Sequence, residues 1–321
     1  MIAKILITIS IVLSPLTLIF ESALNKPSNV LNQQSQNTEY QLEKWNKYQQ
    51  SSISSLLAGN PNFLPIRNWS IDDPDVDASA ALVFESSGDK ILFQKNIDQP
   101  LPIASLTKII TALVVLDHLS IGETTIISSN AINAYGEQGG LVENEEISIE
   151  NLLYALLMES SNDAAVALSE AVEKKIDKNF VDLMNWKSKE IMGLENTFFV
   201  DPSGYNPGNI STAKEISKIL IYSLRQPIIW KIFRTSSIDL ASVNGAIKHH
   251  WINTDKLLDQ LSGVAGGKTG FTNEAQGCLA LALECSNGNK DGYLITVVLG
   301  AKERFEQTEK LVEWAKEAYL W

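Results

Sequence analysis

The apolar and polar positions of this chain follow two rhythms. Short, nearly unbroken apolar runs bounded by turn residues lie towards its beginning and end, and longer runs with helical spacing lie between them. Residues 78–84 predict a strand, Ser87-Gly88 a turn, and residues 91–95 the returning strand. Pro100 and Pro102 then break the chain, and residues 106–118 are so uniformly apolar that they predict a buried helix. Further helices are predicted over 149–158, 163–172 and 179–192. The runs 238–243 and 246–252 flank Asn244-Gly245, a strong hairpin signal. Residues 267–271, 279–284 and 293–299 read as three more strands. Residues 302–319 form an amphipathic closing helix, with Phe305, Leu311, Val312, Trp314 and Ala315 available to face a sheet. Strands at both ends with helices between them predict an α+β fold. Its antiparallel five-stranded sheet is flanked by helices, pairs its first and last strands, and is interrupted by an all-helical lobe.

The first 70 residues follow neither rhythm. Lys4 precedes an apolar run from Ile5 to Phe20, which as a helix would cover about 24 Å, slightly short of a membrane core of about 30 Å. Residues 1–24 therefore read as a signal peptide or an N-terminal membrane anchor. Length favours cleavage, and the poor small-x-small site in Glu21-Ser-Ala-Leu24 disfavours it. Either way the remainder of the chain lies outside the membrane. Residues 25–70, with stretches such as Asn32-Gln-Gln-Ser-Gln-Asn37, bury little apolar area and read as a flexible tether. The globular part is expected over 71–321.

Composition narrows the chemistry. The chain has 321 residues, 45% of them hydrophobic, enough for a substantial core. A formal net charge of -12 and the lack of a Lys/Arg cluster exclude nucleic acid as the expected partner. Three histidines (His118, His249, His250) and two cysteines (Cys278, Cys285) are too few and badly placed for a structural zinc site, so no metal is expected. Seven places apart on one predicted strand, the cysteines would point to opposite faces roughly 23 Å apart and could not bond to each other.

Three short motifs occur in order: Ser105-Leu-Thr-Lys108, Ser160-Ser-Asn162 and Lys268-Thr-Gly270. Ser-x-x-Lys also occurs at Ser87 and Ser211, where about one chance occurrence is expected in a chain of ordinary composition. Ser87 lies in a hairpin turn, and Ser211 overlaps Thr212-Ala-Lys-Glu215, a capping box. Only Ser105 sits where a Pro-broken loop enters a buried helix. There the i, i+3 spacing puts Ser105 and Lys108 on one face, and the helix N-terminus adds positive partial charge. Ser-x-Asn likewise recurs at Ser128, a helix entry, and at Ser242, a hairpin turn, whereas Ser160-Ser-Asn162 lies between two helices. Lys268-Thr-Gly270 follows Gly266-Gly267 at the start of a strand, where small residues let a ligand lie along the edge. There is no Gly-x-Ser-x-Gly elbow, no His-Glu-x-x-His, and no histidine in a recognisable triad setting.

The set resembles that of the low-molecular-mass penicillin-binding proteins, more narrowly the D-alanyl-D-alanine carboxypeptidases of the S11 peptidase family. The likeness runs through Pro102-Ile-Ala-Ser-Leu-Thr-Lys108, Leu152-Leu-Tyr-Ala-Leu-Leu-Met-Glu-Ser-Ser-Asn-Asp-Ala-Ala165, Asn196-Thr-Phe-Phe-Val-Asp-Pro-Ser-Gly204 and Gly266-Gly-Lys-Thr-Gly-Phe-Thr272, to Leu299-Gly-Ala301 with Arg304. It covers the chain from about Asp77 to its end. Ser161 stands where the family usually has Gly, Tyr205 where Leu is common, and Thr254-Asp255 replaces a more usual Asn-bearing pair. Larger members carry a β-rich second domain and a C-terminal amphipathic anchor, and neither is expected here. The resemblance implies a β-lactamase/transpeptidase-like fold and no cofactor. It also implies a peptidoglycan stem peptide ending in D-Ala-D-Ala as substrate, β-lactams as inhibitors and an extracytoplasmic location, with the N-terminal segment as any membrane tether.

A serine hydroxyl needs a base to become a nucleophile. Lys108 can serve if it is partly neutral, as burial and the neighbouring charge of Lys268 would make it. Ser160 can relay a proton, and Asn162 can hold a substrate amide and orient Lys108. Lys268 and Thr269 suit a terminal carboxylate. By resemblance the oxyanion donors are the N–H groups of Ser105 and Phe271, with Gly270 completing the strand-edge site. A β-lactamase is the nearest alternative, but the Glu-x-x-Leu-Asn pattern of class A enzymes is not matched by Glu190-Ile-Met-Gly-Leu194. A non-catalytic wall-binding or sensor module is the other, and it would have no need of a nucleophile paired with a base.

Overall fold

Period-2 alternation of side chains makes one sheet serve two cores. The computed structural model describes residues 65–287 and 290–321. The expected signal or anchor at 1–24 and the tether up to residue 64 lie outside the described residues. Among the described residues no helix is long and apolar enough to cross a membrane. In chain order the strands are β1 Ile66–Arg67, β2 Ala80–Glu85, β3 Lys90–Lys95, β4 Leu101–Pro102, β5 Thr124–Ile126, β6 Glu146–Ser148, β7 Ile210–Ser211, β8 Ser237–Ala241, β9 Lys248–Ile252, β10 Val264–Thr272, β11 Gln276–Asn287, β12 Lys290–Ala301 and β13 Tyr319–Leu320. The helices are α1 Thr107–His118, α2 Ser129–Ile132, α3 Ile149–Leu157, α4 Asn162–Ile176, α5 Phe180–Trp186, α6 Ala213–Ser223, α7 Pro227–Phe233 and α8 Arg304–Ala318.

The main sheet has five antiparallel strands in the order β10-β11-β12-β2-β3, so the early hairpin joins the late strands as expected. Along β11, Cys278, Ala280 and Ala282 face one core while Leu279, Leu281 and Leu283 face the other. Small residues on the first face let helices lie close; leucines on the second meet Leu311, Val312, Trp314 and Ala315 of α8. The two cysteines are free and fall on these opposite faces, Cys278 in one core and Cys285 against the other. Between β4 and β10 the chain builds the helical lobe around α1, whose Ile109, Ile110, Ala112, Leu113, Val114 and Val115 are all buried.

Several elements differ from their sequence expectation. The predicted helix over 179–192 stops as an α-helix at Trp186 and continues as a π turn over Lys187–Ile191. Lys187 there is buried and reaches Asp117 at 2.6 Å, a tertiary pull that periodicity cannot show. The hairpin around Asn244-Gly245 closes more loosely than a two-residue turn, with the Ser242 N–H donating to Ile247 O at 3.0 Å. Packing also begins before Ile71, since Ile66–Arg67 pairs with Tyr319–Leu320. The inserted lobe, expected to be all-helical, also carries the β8–β9 hairpin and two short ladders, β4–β7 and β5–β6, that have no signal in the sequence.

Candidate active site

The pairing of Leu101–Pro102 with Ile210–Ser211 delivers the chain to a single 3-10 turn, Ala104–Leu106, directly ahead of α1. The helix predicted from Leu106 therefore starts one residue later, and Ser105 lies in the entry turn. Ala104 takes φ +48 and Ser160 φ +62, left-handed values that non-glycine residues rarely adopt. Strain of this kind collects where a site must aim a side chain. Both residues sit directly beside the polar groups that converge here.

Lys108 is fully buried, one turn along from Ser105. Its Nζ lies 3.0 Å from Ser105 Oγ, 2.6 Å from Asn162 Oδ1 and 2.6 Å from the backbone oxygen of Ser203. Asn162 is oriented by its own Nδ2, which donates to Tyr135 O at 2.6 Å. On the facing wall, Lys268 Nζ donates to Ser160 Oγ at 3.0 Å and to Thr269 O at 3.0 Å. Thr269 Oγ1 lies 2.6 Å from Thr254 Oγ1. Gly270 brings β10 against the nucleophile: a Cβ there would stand 3.0 Å from the Ser105 nitrogen. Phe271 is 56% exposed, and with Ser105, Asn162, Gly204 and Tyr205 it lines an open cleft of about 410 Å³.

Burial sets the electrostatics. Desolvation pushes Lys108 down to about 7, against the upward pull of the carboxylates Asp201, Asp163 and Glu137. Lys268 is held well below the ordinary lysine value by burial first, then by the charges of Lys108 and Arg304. Repulsion between these two buried cations is mutual, so each disfavours the charged form of the other, as expected. Asp255 is pushed up to about 6 by burial, although Lys268 and Arg304 pull it down.

All eight candidate residues converge here. Ser105, Lys108 and Asn162 share one hydrogen-bonded cluster, Ser160 is held by Lys268 from the facing strand, and Lys268, Thr269, Gly270 and Phe271 form that strand's edge. The competing motifs lie elsewhere. The Ser87 N–H and hydroxyl donate to the Glu85 carboxylate, and Thr212 Oγ1 caps α6 by accepting from the Glu215 N–H at 3.1 Å. Ser161 is the cap of α4, accepting from Ala164 N at 2.9 Å, which gives the residue found in place of the family's glycine a structural job.

Three contributors escaped the sequence reading. Asp201 folds the loop that supplies the Ser203 carbonyl, accepting from the N–H groups of Ser203, Gly204 and Asn206. Gly204 must lack a side chain, because a Cβ would fall 2.0 Å from Ala104 O. The backbone oxygens of Tyr135 and Glu137 both accept from Asn162, yet nothing in their sequence marks them. Only the Asp201-Pro-Ser-Gly204 turn had a legible signal, in its turn-forming residues.

Comparison with known proteins places this geometry. The family model described as D-alanyl-D-alanine carboxypeptidase, Peptidase S11, matches residues 68–303. The D-alanyl-D-alanine carboxypeptidase DacF of Bacillus subtilis is 33% identical over 252 residues, 76% of this chain and 63% of that protein. A D-alanyl-D-alanine endopeptidase of Escherichia coli is 30% identical over 75% of this chain and 78% of its own length. The crystal structure of the Streptomyces K15 DD-transpeptidase superposes with a TM-score of 0.71 at 26% identity, covering 77% of this chain and 100% of that one. Since sequence and fold agree over the same globular part, the chain belongs to the S11 family of D-alanyl-D-alanine carboxypeptidases.

Proposed function

We propose that the protein is a serine-type D-Ala-D-Ala carboxypeptidase that removes the terminal D-Ala from peptidoglycan stem peptides through an acyl-enzyme on Ser105, and that β-lactams acylate the same oxygen. One observation carries the reading. Of the three partners of Lys108 Nζ, the Asn162 and Ser203 oxygens can only accept, so they take two N–H bonds. A neutral amine has just two, and its lone pair is left for the third partner, the Ser105 hydroxyl, which can donate. With the amine brought down to about 7, that neutral state is substantially populated near neutral pH.

The steps follow from this arrangement. Ser105 Oγ attacks the carbonyl carbon of the penultimate residue while Lys108 takes its proton. The oxyanion lies between the Ser105 and Phe271 N–H groups, beside the close approach of Gly270. The C–N bond breaks, and the proton passes to the leaving amine through Lys108 and Ser160. Water then attacks the Ser105 ester, giving up a proton to Lys108, which passes it to the departing Ser105 oxygen 3.0 Å away as the shortened peptide is released. Lys268 and Thr269 receive the terminal carboxylate, which supplies the counter-charge that burial denies Lys268. Substrate of this kind puts the folded part outside the cytoplasmic membrane, with residues 1–24 as signal or anchor. The test incubates the purified protein with a soluble peptide ending in D-Ala-D-Ala and with a fluorescent penicillin. Release of one D-Ala and a covalent label are expected; a protein that does neither is not this enzyme.

A further inference from the structure

The segment 135–145 has no regular structure, yet two of its carbonyls receive the Asn162 amide: Tyr135 O from Nδ2 at 2.6 Å and Glu137 O from the backbone N–H at 2.8 Å. Asn162 Oδ1 in turn takes a hydrogen bond from Lys108. The position of this segment therefore sets the position of the lysine's partner. The segment's far end is held by backbone bonds with Ile127, where Asn144 N–H donates to Ile127 O at 2.9 Å and Ile127 N–H to Glu145 O at 2.8 Å, and two further restraints meet at its middle. From α4, the Asp163 carboxylate accepts the N–H groups of Gly139 at 2.9 Å and Leu141 at 3.3 Å. From the opposite side, β9 supplies Trp251, whose indole N–H donates to Gly139 O at 2.9 Å. Gly139 is thus gripped at both ends of its peptide groups.

Trp251 is itself locked. It is 2% exposed, and its ring stacks on that of His249 with centroids 5.0 Å apart and planes 14° from parallel. His249 Nε2 lies 2.7 Å from Glu145 Oε1, and the other Glu145 oxygen accepts the Val142 N–H at 3.1 Å. The imidazole and carboxylate are both buried and engaged with each other, so the far end of the segment is tied to the strand that carries Trp251. None of these residues touches the reacting groups. A hairpin lateral to the main sheet would need no such buried polar construction merely to pack.

We propose that Trp251 is a positioning residue for the Ser105 reaction: its indole N–H, kept in register by the stacked His249–Glu145 pair, fixes segment 135–145 and through it the Asn162 amide against Lys108. The inference rests on the acyl-enzyme reading above. Loss of the N–H would let the Tyr135 carbonyl drift from Asn162, and small displacements of catalytic partners are costly in rate.

The experiment uses the full chain and a fluorescent penicillin, with labelling followed over a range of concentrations to separate the acylation rate constant from the dissociation constant. Trp251→Phe keeps the ring and deletes the donor. Trp314→Phe deletes a matched bond far from the cleft, Trp314 Nε1 to Asp72 O at 2.9 Å. Trp251→Phe is expected to slow acylation about tenfold with the dissociation constant unchanged, and Trp314→Phe to leave both at the wild-type value. In an Asn162→Ala background the further effect of Trp251→Phe should shrink to less than about twofold, because the partner it acts through is gone. Should Trp251→Phe not fold, Glu145→Gln, which keeps an acceptor for the Val142 N–H, is expected to slow acylation by roughly threefold, again only with Asn162 present. A wild-type rate in Trp251→Phe or in that substitute, equal slowing in Trp314→Phe, or full additivity with Asn162→Ala overturns the proposal. Failure of the wild-type protein to label would overturn the Ser105 reading itself, and this inference with it.

Discussion

The two cores on either side of the main sheet are both well buried and chemically different. The core under α8 meets the sheet with Leu311, Val312, Trp314 and Ala315, and that helix keeps Glu309, Lys310, Glu313 and Lys316 exposed. The lobe side buries Lys108, Asn162 and Asp163 at its cleft edge, each engaged with named polar partners, and faces the buried Lys268 of β10. The first arrangement contributes stability through apolar burial. The second costs stability: holding a lysine near 7 means folding against its ordinary protonation, a penalty on the order of several kcal/mol. That penalty is full below about pH 7, where the amine is charged in both states, and fades as pH rises towards the unfolded lysine value. Reactivity here is built from a buried lysine and its polar partners, whereas the polar side chains that α8 buries are the neutral Gln307 and Thr308.

The contrast can be tested from its strongest consequence down. Ser105→Ala should abolish covalent penicillin labelling without moving the unfolding transition, whereas Ser87→Ala and Ser211→Ala should label normally; label on the Ser105→Ala protein would mean another nucleophile. Lys108→Arg retains charge but cannot deprotonate at workable pH, so acylation should fall by about a thousandfold. A rate near that of the wild type would move the base role to another group. Leu311→Ala, in the opposite core, should cost about 2–5 kcal/mol in denaturant unfolding and leave the acylation rate of the folded protein unchanged. A slowed rate would show that the two cores are not independent.

The smallest effect belongs to Asp255, the residue that departs from the usual family pair. Its folded value of about 6 exceeds the ordinary aspartate value of 3.8, so the folded state binds the extra proton between those values. Wild-type stability should therefore fall as pH rises through this window, by up to about 3 kcal/mol, and level off above it. Asp255→Asn removes the titration, and its stability relative to wild type should climb across the same window. Parallel pH curves for the two proteins would remove Asp255 from the account.

The same contrast explains what could be read in the sequence. The strands of the sheet, α1 and α8 were legible because apolar periodicity follows from burying one face or all of an element, and Leu311, Val312 and Trp314 fall where the pattern put them. The spacing of Ser105 and Lys108 was legible because one helical turn joins them. The carbonyls of Tyr135, Glu137 and Ser203 were not, since any residue type offers a backbone oxygen. Ladders as short as β4–β7 carry no periodic signal, being held by the chain segments they connect. The π turn at Lys187 answers to Asp117, seventy places away in the sequence.

The central claim is that Lys108, neutral by burial, is the base for Ser105. Its most direct test is the pH dependence of the wild-type acylation rate constant with a penicillin that does not itself titrate between pH 5 and 10. The rate should rise about tenfold per pH unit on the acid side, bend at about pH 7 and then stay level, following the lone pair of Lys108. A rate that keeps rising towards an ordinary lysine value near 10.4, or one flat through neutrality, would contradict the assignment.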